Sequence, residues 1–276
     1  MTRAIDVLHL GRDRVISAYV VDGLIVDPGP SSCVDALIAG LGPTVPKALL
    51  LTHIHLDHAG ASGTLCRRFR DLVVYVHENG APHLVDPSKL LASAARLYGD
   101  DMDELWGEVA PVPEERVRPL RGGERVEGFR VAYTPGHASH HVCYLHEATR
   151  DAYVGDMAGV RVPPYEFTLA PTPPPDIDVE AWLDSLHTVA AWNPQSLRLT
   201  HFGQVTDVAD QLHRVRTALT DAADSARLDG EERFVARLED ALREATDPAA
   251  MEAYEQAAPP EQLYQGLERY WRKRAQ

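Results

Sequence analysis

Four of the six residues from His53 to His58 are imidazoles or a carboxylate able to bind metal: His53, His55, Asp57 and His58. They follow the apolar run Leu49-Leu-Leu-Thr, which reads as a strand buried on both faces. Packing gives no reason to place so many costly polar groups directly after a core strand, whereas neutral imidazole and carboxylate are the donors that zinc, iron and manganese accept. In an extended segment alternate side chains share a face, so His53, His55 and Asp57 project together. His58 joins them only if the chain turns, and Ala59-Gly-Ala-Ser-Gly63 supplies small residues for a turn into a helix. The spacing suits two adjacent metal positions better than one.

The same device recurs further along. His137 stands in Thr134-Pro-Gly-His, Asp156 follows Gly155, and His201 follows the apolar stretch 196–200, so four separate strand ends offer donors. His140 is a candidate to orient His137 from behind. Arg161, just past Asp156, is a candidate contact for a substrate carboxylate, and Tyr98, Trp106, Tyr165 and Phe167 are candidate cavity walls. His77 and His83 have no neighbouring donor and read as structural residues or supports behind the ligands rather than as ligands; His9, His146, His187 and His213 read as structural or surface residues.

The elements that must position these groups follow from local pattern. Residues 5–10, 15–21 and 24–26 read as short strands, with Asp22-Gly23 as a hairpin signal. Asp27-Pro-Gly-Pro30 ends this meander, residues 34–41 read as a helix, and 47–51 is the strand that delivers the histidine motif. A helix over 60–69 and a strand over 72–76 follow. Residues 88–98 and 102–106 then form a helical insert long enough to wall a cavity. Strands are expected at 117–120, 125–126, 129–133, 142–146, 152–154 and 196–200, and an amphipathic helix at 179–192. The proline-rich stretch 162–175 can be neither helix nor central strand and reads as a rigid surface loop. From Val205 the composition becomes rich in Ala, Leu, Glu, Arg and Asp, which predicts three or four helices broken near Asp229-Gly230, Asp247-Pro248 and Pro259-Pro260.

Composition limits the function classes. With 276 residues, the chain can build one large domain or a domain with an appendage. Its formal net charge of -14 disfavours DNA or RNA as a partner, and no basic patch overrides it. Three cysteines without a CxxC pair indicate neither a disulfide framework nor a cysteine zinc knuckle. The opening residues lack an apolar run suited to a signal peptide and no later segment suits a membrane span, so a cytoplasmic enzyme acting on a small molecule is expected, with a homodimer left open.

With these motifs together, the chain resembles the metallo-β-lactamase superfamily, whose HxHxDH signature stands here as His53-Ile-His-Leu-Asp-His58. The resemblance covers roughly the first 200 residues. It implies an α+β, four-layer αββα sandwich over residues 1–204, with the helical insert at about 79–115, and an added C-terminal helical region over 205–276. It also implies that His53, His55 and His137 hold one divalent metal, that Asp57, His58 and His201 hold a second, and that Asp156 bridges them. Zinc is expected, with iron or manganese compatible with the same donors. Among superfamily members the chain is most similar to glyoxalase II-like hydrolases. The implied reaction is attack of a metal-activated hydroxide, held in line by Asp57, on a thioester, lactone or other carboxylic ester. The alternative is a mononuclear iron sulfur dioxygenase or redox diiron protein on the same fold. Phosphodiesterase and β-lactamase activities rank lower.

Overall fold

The computed structural model describes residues 2–275. In chain order its strands are β1 (Arg3–Asp6), β2 (Ser17–Val21), β3 (Leu24–Val26), β4 (Ala48–Leu50), β5 (Val73–His77), β6 (Val117–Leu120), β7 (Arg125–Val126), β8 (Phe129–Tyr133), β9 (Val142–His146), β10 (Asp151–Gly155), β11 (Ser196–Leu199) and β12 (Gly203–Val205). The helices are α1 (Val34–Leu41), α2 (Leu56–Ala59), α3 (Ser62–Arg68), α4 (Ala81–Val85), α5 (Ser88–Tyr98), α6 (Met102–Trp106), α7 (Val179–Ala191), α8 (Val208–Leu228), α9 (Glu231–Ala245), α10 (Pro248–Ala257) and α11 (Pro260–Arg274). β1 to β6 form one mixed sheet in sequence order, and β12 to β7 form a second in reverse order.

Strand alternation builds the four layers. Leu24 and Val26 of β3, Ala48 and Leu50 of β4, and Tyr144 and Tyr153 of the second sheet point into the space between the sheets, where they form a closed apolar cluster. Their neighbours Ile25, Leu49, Cys143 and Val154 point outward into a larger core shared with the covering helices. One row of side chains thus joins sheet to sheet and the next joins sheet to helix, giving the αββα sandwich. α7 covers the second sheet with Trp182, Leu186 and Val189 buried on one face. Its N-terminus is capped by Asp178, whose side chain accepts from the Ala181 amide.

Several expectations change in detail. The first strand is shorter than residues 5–10 and passes into a 3₁₀ turn at His9–Gly11, so His9 leaves the sheet edge. The turn after the histidine motif begins at Leu56 rather than after Gly60: α2 takes Asp57 and His58 out of extended geometry, and the helical turn swings both onto the same centre. The proline-rich stretch is a surface loop only in part: Pro163, Pro164, Glu166 and Pro175 are exposed. Leu169, Ala170, Pro171 and Thr172 are buried, because the C-terminal helices close over them. The Thr172 hydroxyl donates to the Leu263 carbonyl, and Tyr254 bonds to both the Val162 amide and the Phe167 carbonyl. The tail forms four helices with breaks at the three expected points, and its apolar faces belong to the same core as the second sheet. Among the described residues no helix is long and apolar enough to cross a membrane.

Candidate dinuclear metal centre

The centre lies where five chain segments end at one edge of the two sheets. β4 leads through Thr52 into His53 and His55; α2 carries Asp57 and His58; the turn between β8 and β9 carries His137. β10 ends at Gly155 before Asp156, and β11 ends before His201. Backbone and tyrosine bonds tie the two sheets together at this edge. The Val142 amide donates to the Thr52 carbonyl at 2.7 Å and the Ser17 amide to the Thr200 carbonyl at 2.8 Å. Tyr144 donates to the Leu51 carbonyl at 2.8 Å and Tyr19 to the Leu199 carbonyl at 2.5 Å. Donors from opposite sheets are thereby held in register.

Two glycines make room for donors. Gly136, at φ 138°, precedes His137, and a Cβ there would stand 2.4 Å from the Cα of Trp182. Gly155, at φ 49°, precedes Asp156, and a Cβ there would stand 2.4 Å from the Thr52 hydroxyl and 2.9 Å from Nε2 of His141. No side chain fits either position without displacing neighbours.

The structure brings His53, His55, Asp57, His58, His137, Asp156 and His201 together. Their donor atoms form three overlapping groups, each within 4.8 Å: His53, His55 and His137; His53, His58 and Asp156; Asp57, His58 and His201. Asp156 lies between them. Its Oδ2 is 3.2 Å from Nε2 of His137, while its Oδ1 is 3.1 Å from Nε2 of His58 and 3.6 Å from Nε2 of His201. Oδ2 of Asp57 is 3.2 Å from Nε2 of His201 and 3.5 Å from Nε2 of His58. Nε2 of His53, Nε2 of His58 and Oδ1 of Asp156 are buried and have no hydrogen-bond partner. Buried polar atoms are almost always satisfied, so three orphans converging on one point fit cations as their missing partners.

The opposite nitrogen of four of the five imidazoles is tethered. Nδ1 of His137 bonds to the Pro171 carbonyl at 2.8 Å and Nδ1 of His201 to the Val15 carbonyl at 2.7 Å. Nδ1 of His53 faces the Thr52 hydroxyl at 3.1 Å, and Nδ1 of His58 faces Oδ2 of Asp27 at 2.9 Å. A carbonyl accepts only from N–H, so Nδ1 carries the proton in His137 and His201 and Nε2 is left as the donor to a cation.

Electrostatics divides the cluster. Burial, and then the neighbouring His58, push His53 well below the usual imidazole range. Burial and His137 push His55 down to about 4. His137 is also lowered by burial, against the pull of Asp156. These three are neutral, the form that binds metal. Burial alone would lower His58, yet Asp156, Asp57 and Asp27 around it raise it; Asp156 and Asp57 do the same for His201. Asp57 and Asp156 are correspondingly held well below the usual carboxylate range against their burial.

Other expected residues fall in different places. His140 borders the cavity beside His55, with its Nδ1 3.4 Å from the Ile54 amide; the Pro171 carbonyl, not His140, holds His137. The Arg161 side chain is turned away from the cavity into Gln211, the Tyr165 carbonyl and Glu166. Its backbone does reach the centre, donating to the His201 carbonyl at 2.6 Å. Tyr165 donates to Asp247 at 2.8 Å and Phe167 packs on Tyr254 at 5.7 Å between ring centres, so neither reaches the cavity. Both turn toward the tail, while the later prolines of the same stretch, Pro171, Pro173, Pro174 and Pro175, border the cavity. Tyr98 and Trp106 do form cavity wall. Asp27 and His141 were not picked out from sequence. Asp27, 1% exposed and at φ 47°, accepts from the hydroxyls of Thr52 and Thr200 and from the Thr52 amide as well as facing His58. The only local signal was an aspartate opening a Pro-Gly turn. His141 stacks on His53 at 5.1 Å and bonds to Thr134.

Comparison with known proteins agrees with this architecture. A metallo-β-lactamase fold-containing protein of Sulfurisphaera tokodaii is 29% identical over 165 residues, covering 57% of this chain and 61% of that protein. The crystal structure of an archaeal superfamily protein from Sulfolobus tokodaii superposes with a TM-score of 0.71 at 22% identity, over 96% of this chain and 97% of that one. A hydroxyacylglutathione hydrolase of Thermosynechococcus vestitus is 32% identical over 136 residues, 48% of this chain and 42% of the enzyme. The matches to these two curated relatives thus span less than two thirds of their lengths. A crystal structure in a di-iron-bound form has a TM-score of 0.56 at 28% identity, over 73% of this chain and 94% of that one. The family model described as metallo-beta-lactamase superfamily matches residues 11–192, and this chain, with all the donors of the HxHxDH pattern gathered at one sheet edge, belongs to that superfamily.

Proposed function

We propose that the protein is a dinuclear metal-dependent hydrolase of carboxylic esters, thioesters or lactones. The observation that carries this reading is the bridging position of Asp156, one oxygen toward His137 and the other toward His58 and His201. His53, His55 and His137 would hold one ion, Asp57, His58 and His201 the other, and Asp156 both. Zinc is the proposed metal, and the di-iron form of a similar structure makes iron the alternative. Two such ions supply an activated water at neutral pH and polarise the scissile carbonyl. Asp57, whose side chain is 20% exposed toward the cavity, accepts a hydrogen bond from the attacking water and aligns it. His140 and Tyr98 border the same space. Most donors at the cavity floor, His53, His58, His137, Asp156 and His201, are buried, which strengthens the charge interactions there.

A hydroxyacylglutathione hydrolase among the relatives supports thioester chemistry, and the acidic surface speaks against a polyanionic substrate. Cys33, Cys66 and Cys143 are buried free thiols, in keeping with the cytoplasm. The test is a hydrolysis screen over thioesters, lactones, aryl esters and phosphodiesters, with and without chelator. Carboxylic-ester or thioester turnover that chelator abolishes and added zinc restores is the expected result. Oxygen consumption with one iron per chain and no hydrolysis would replace this reading with the dioxygenase.

A further inference from the structure

A cavity of about 530 Å³ opens directly above His55, Asp57, Asp156 and His201. Its size is in the range of pockets that enclose a whole small molecule. Three segments distant in sequence contribute to its walls: α5 and α6 of the insert with Leu97, Tyr98 and Leu105, the proline-rich stretch with Pro171, Pro173 and Pro174, and the turn into α11 with Pro259 and Leu263.

Beyond the floor, the wall carries few charges, and among its buried polar atoms the Nε1 of Trp106 is left without a partner. Lys89 is the sole Lys or Arg bordering the cavity among the described residues, and Asp101 and Asp176 share the same walls. Many of the polar groups there are engaged with one another. Tyr98 donates to Gln262 at 3.4 Å and Ser139 to Asp176 at 2.6 Å. His9 is bonded to the Leu105 carbonyl at 2.9 Å and to Gln256 at 3.0 Å, and the Asn79 amide donates to the Ser139 carbonyl. A glutathione conjugate carries two carboxylates and one ammonium; with Lys89 on one carboxylate and one aspartate on the ammonium, its second carboxylate would be left facing the other aspartate. Such a mismatch rejects a ligand. The apolar area fits a chain without charge.

We infer that this cavity binds the uncharged, apolar acyl chain of a carboxylic ester or thioester, with the acyl carbon at the floor and the chain running toward Leu263. The inference rests on the hydrolase reading and narrows its substrate class. The chain is placed on the acyl side because that is the part ester, thioester and lactone substrates share. In the reaction, water adds its oxygen to the acyl carbon and the bond from that carbon to the ester oxygen or thioester sulfur breaks. The departing heteroatom takes a proton from the water, giving an acid and an alcohol or thiol.

The test pairs turnover with binding. For metal-loaded protein and p-nitrophenyl esters from acetyl to octanoyl, kcat/KM rises roughly fourfold per added methylene until the cavity is filled, the factor that follows from burying one CH₂. S-lactoylglutathione is a poor substrate beside S-octanoyl-N-acetylcysteamine. Ser93, bordering the cavity from α5, offers a way to fill it. Ser93→Trp lowers the octanoyl-to-acetyl ratio at least tenfold in protein whose thermal midpoint is retained. Calorimetry of metal-free protein with octanamide gives binding with a negative heat-capacity change, stronger than for butanamide and weakened by Ser93→Trp. Hydrolysis that is indifferent to acyl length, or follows the length of the alcohol in alkyl acetates, overturns this inference and leaves the hydrolase reading intact. Absence of all hydrolysis together with chain-length-dependent amide binding overturns the hydrolase reading and supports the cavity's preference. Equal binding of the two amides overturns that preference.

Discussion

Each tethered imidazole of the centre is fixed through the nitrogen that faces away from the shared point, and Asp27 alone takes hydrogen bonds from Thr52, Thr200 and His58. Asp27→Asn keeps the volume but turns an acceptor into a donor against these groups. Affinity for the second metal should fall about 10- to 100-fold, read by competition with a chromogenic chelator. Unfolding free energy should fall by about 1–3 kcal/mol, because buried donors lose their acceptor. Unaltered affinity would mean that His58 is oriented by other means. A second expectation concerns protons in metal-free protein. His9, His53, His55, His137, His140 and His141 are all lowered by burial, while His58 and His201 are raised. An imidazole lowered in the fold binds its proton first in the unfolded chain, so stability is lost as pH falls below about 6.5 toward the folded values, about 4 for His55. The two raised imidazoles act in the opposite sense but are outnumbered. Urea unfolding of chelated protein at several pH values should therefore give a lower midpoint at pH 5.5 than at pH 7.5; a higher one at pH 5.5 contradicts the assignment of neutral histidines.

Between elements, the stitches that hold the insert over the centre come from both ends of the chain. His9 stacks on Trp106 at 5.4 Å and accepts from Gln256 of α10, and Gln256 also accepts from Arg12. Tyr98 reaches Gln262 of α11. Gln256→Ala removes one of these links without touching the metal donors. Hydrogen exchange should quicken in α5 and α6 while the amides of β4 and β10 stay protected; equal exchange throughout would show that the insert is held by its own packing. These links explain what sequence reading could reach. The strands, the insert and the breaks of the tail were legible because period, glycine and proline act locally. α2 escaped because Asp57 and His58 read as well in an extended segment as in a helical turn. The burial of residues 168–172, and the positions of Tyr165 and Phe167, depend on helices 82 to 91 residues later, as the bonds from Tyr165 to Asp247 and from Thr172 to Leu263 make plain. Asp27 had no neighbouring donor in sequence; its partners lie 25, 31 and 173 positions away.

At the scale of the whole molecule, two sheets and a helical tail converge so that one sheet edge holds donors and the tail and insert roof them. The candidate donors stand at the edge where strands end, and the insert and tail border the cavity above them. The central claim is that seven side chains from five segments hold two ions through a shared Asp156. It is tested most directly by the metal content per chain after saturation and removal of free metal, compared between the native protein and Asp156→Ala verified as folded by circular dichroism. Two ions per native chain, and loss of at least one with Asp156→Ala, are the predicted result. A single ion in the native chain, retained undiminished by the variant, would contradict it.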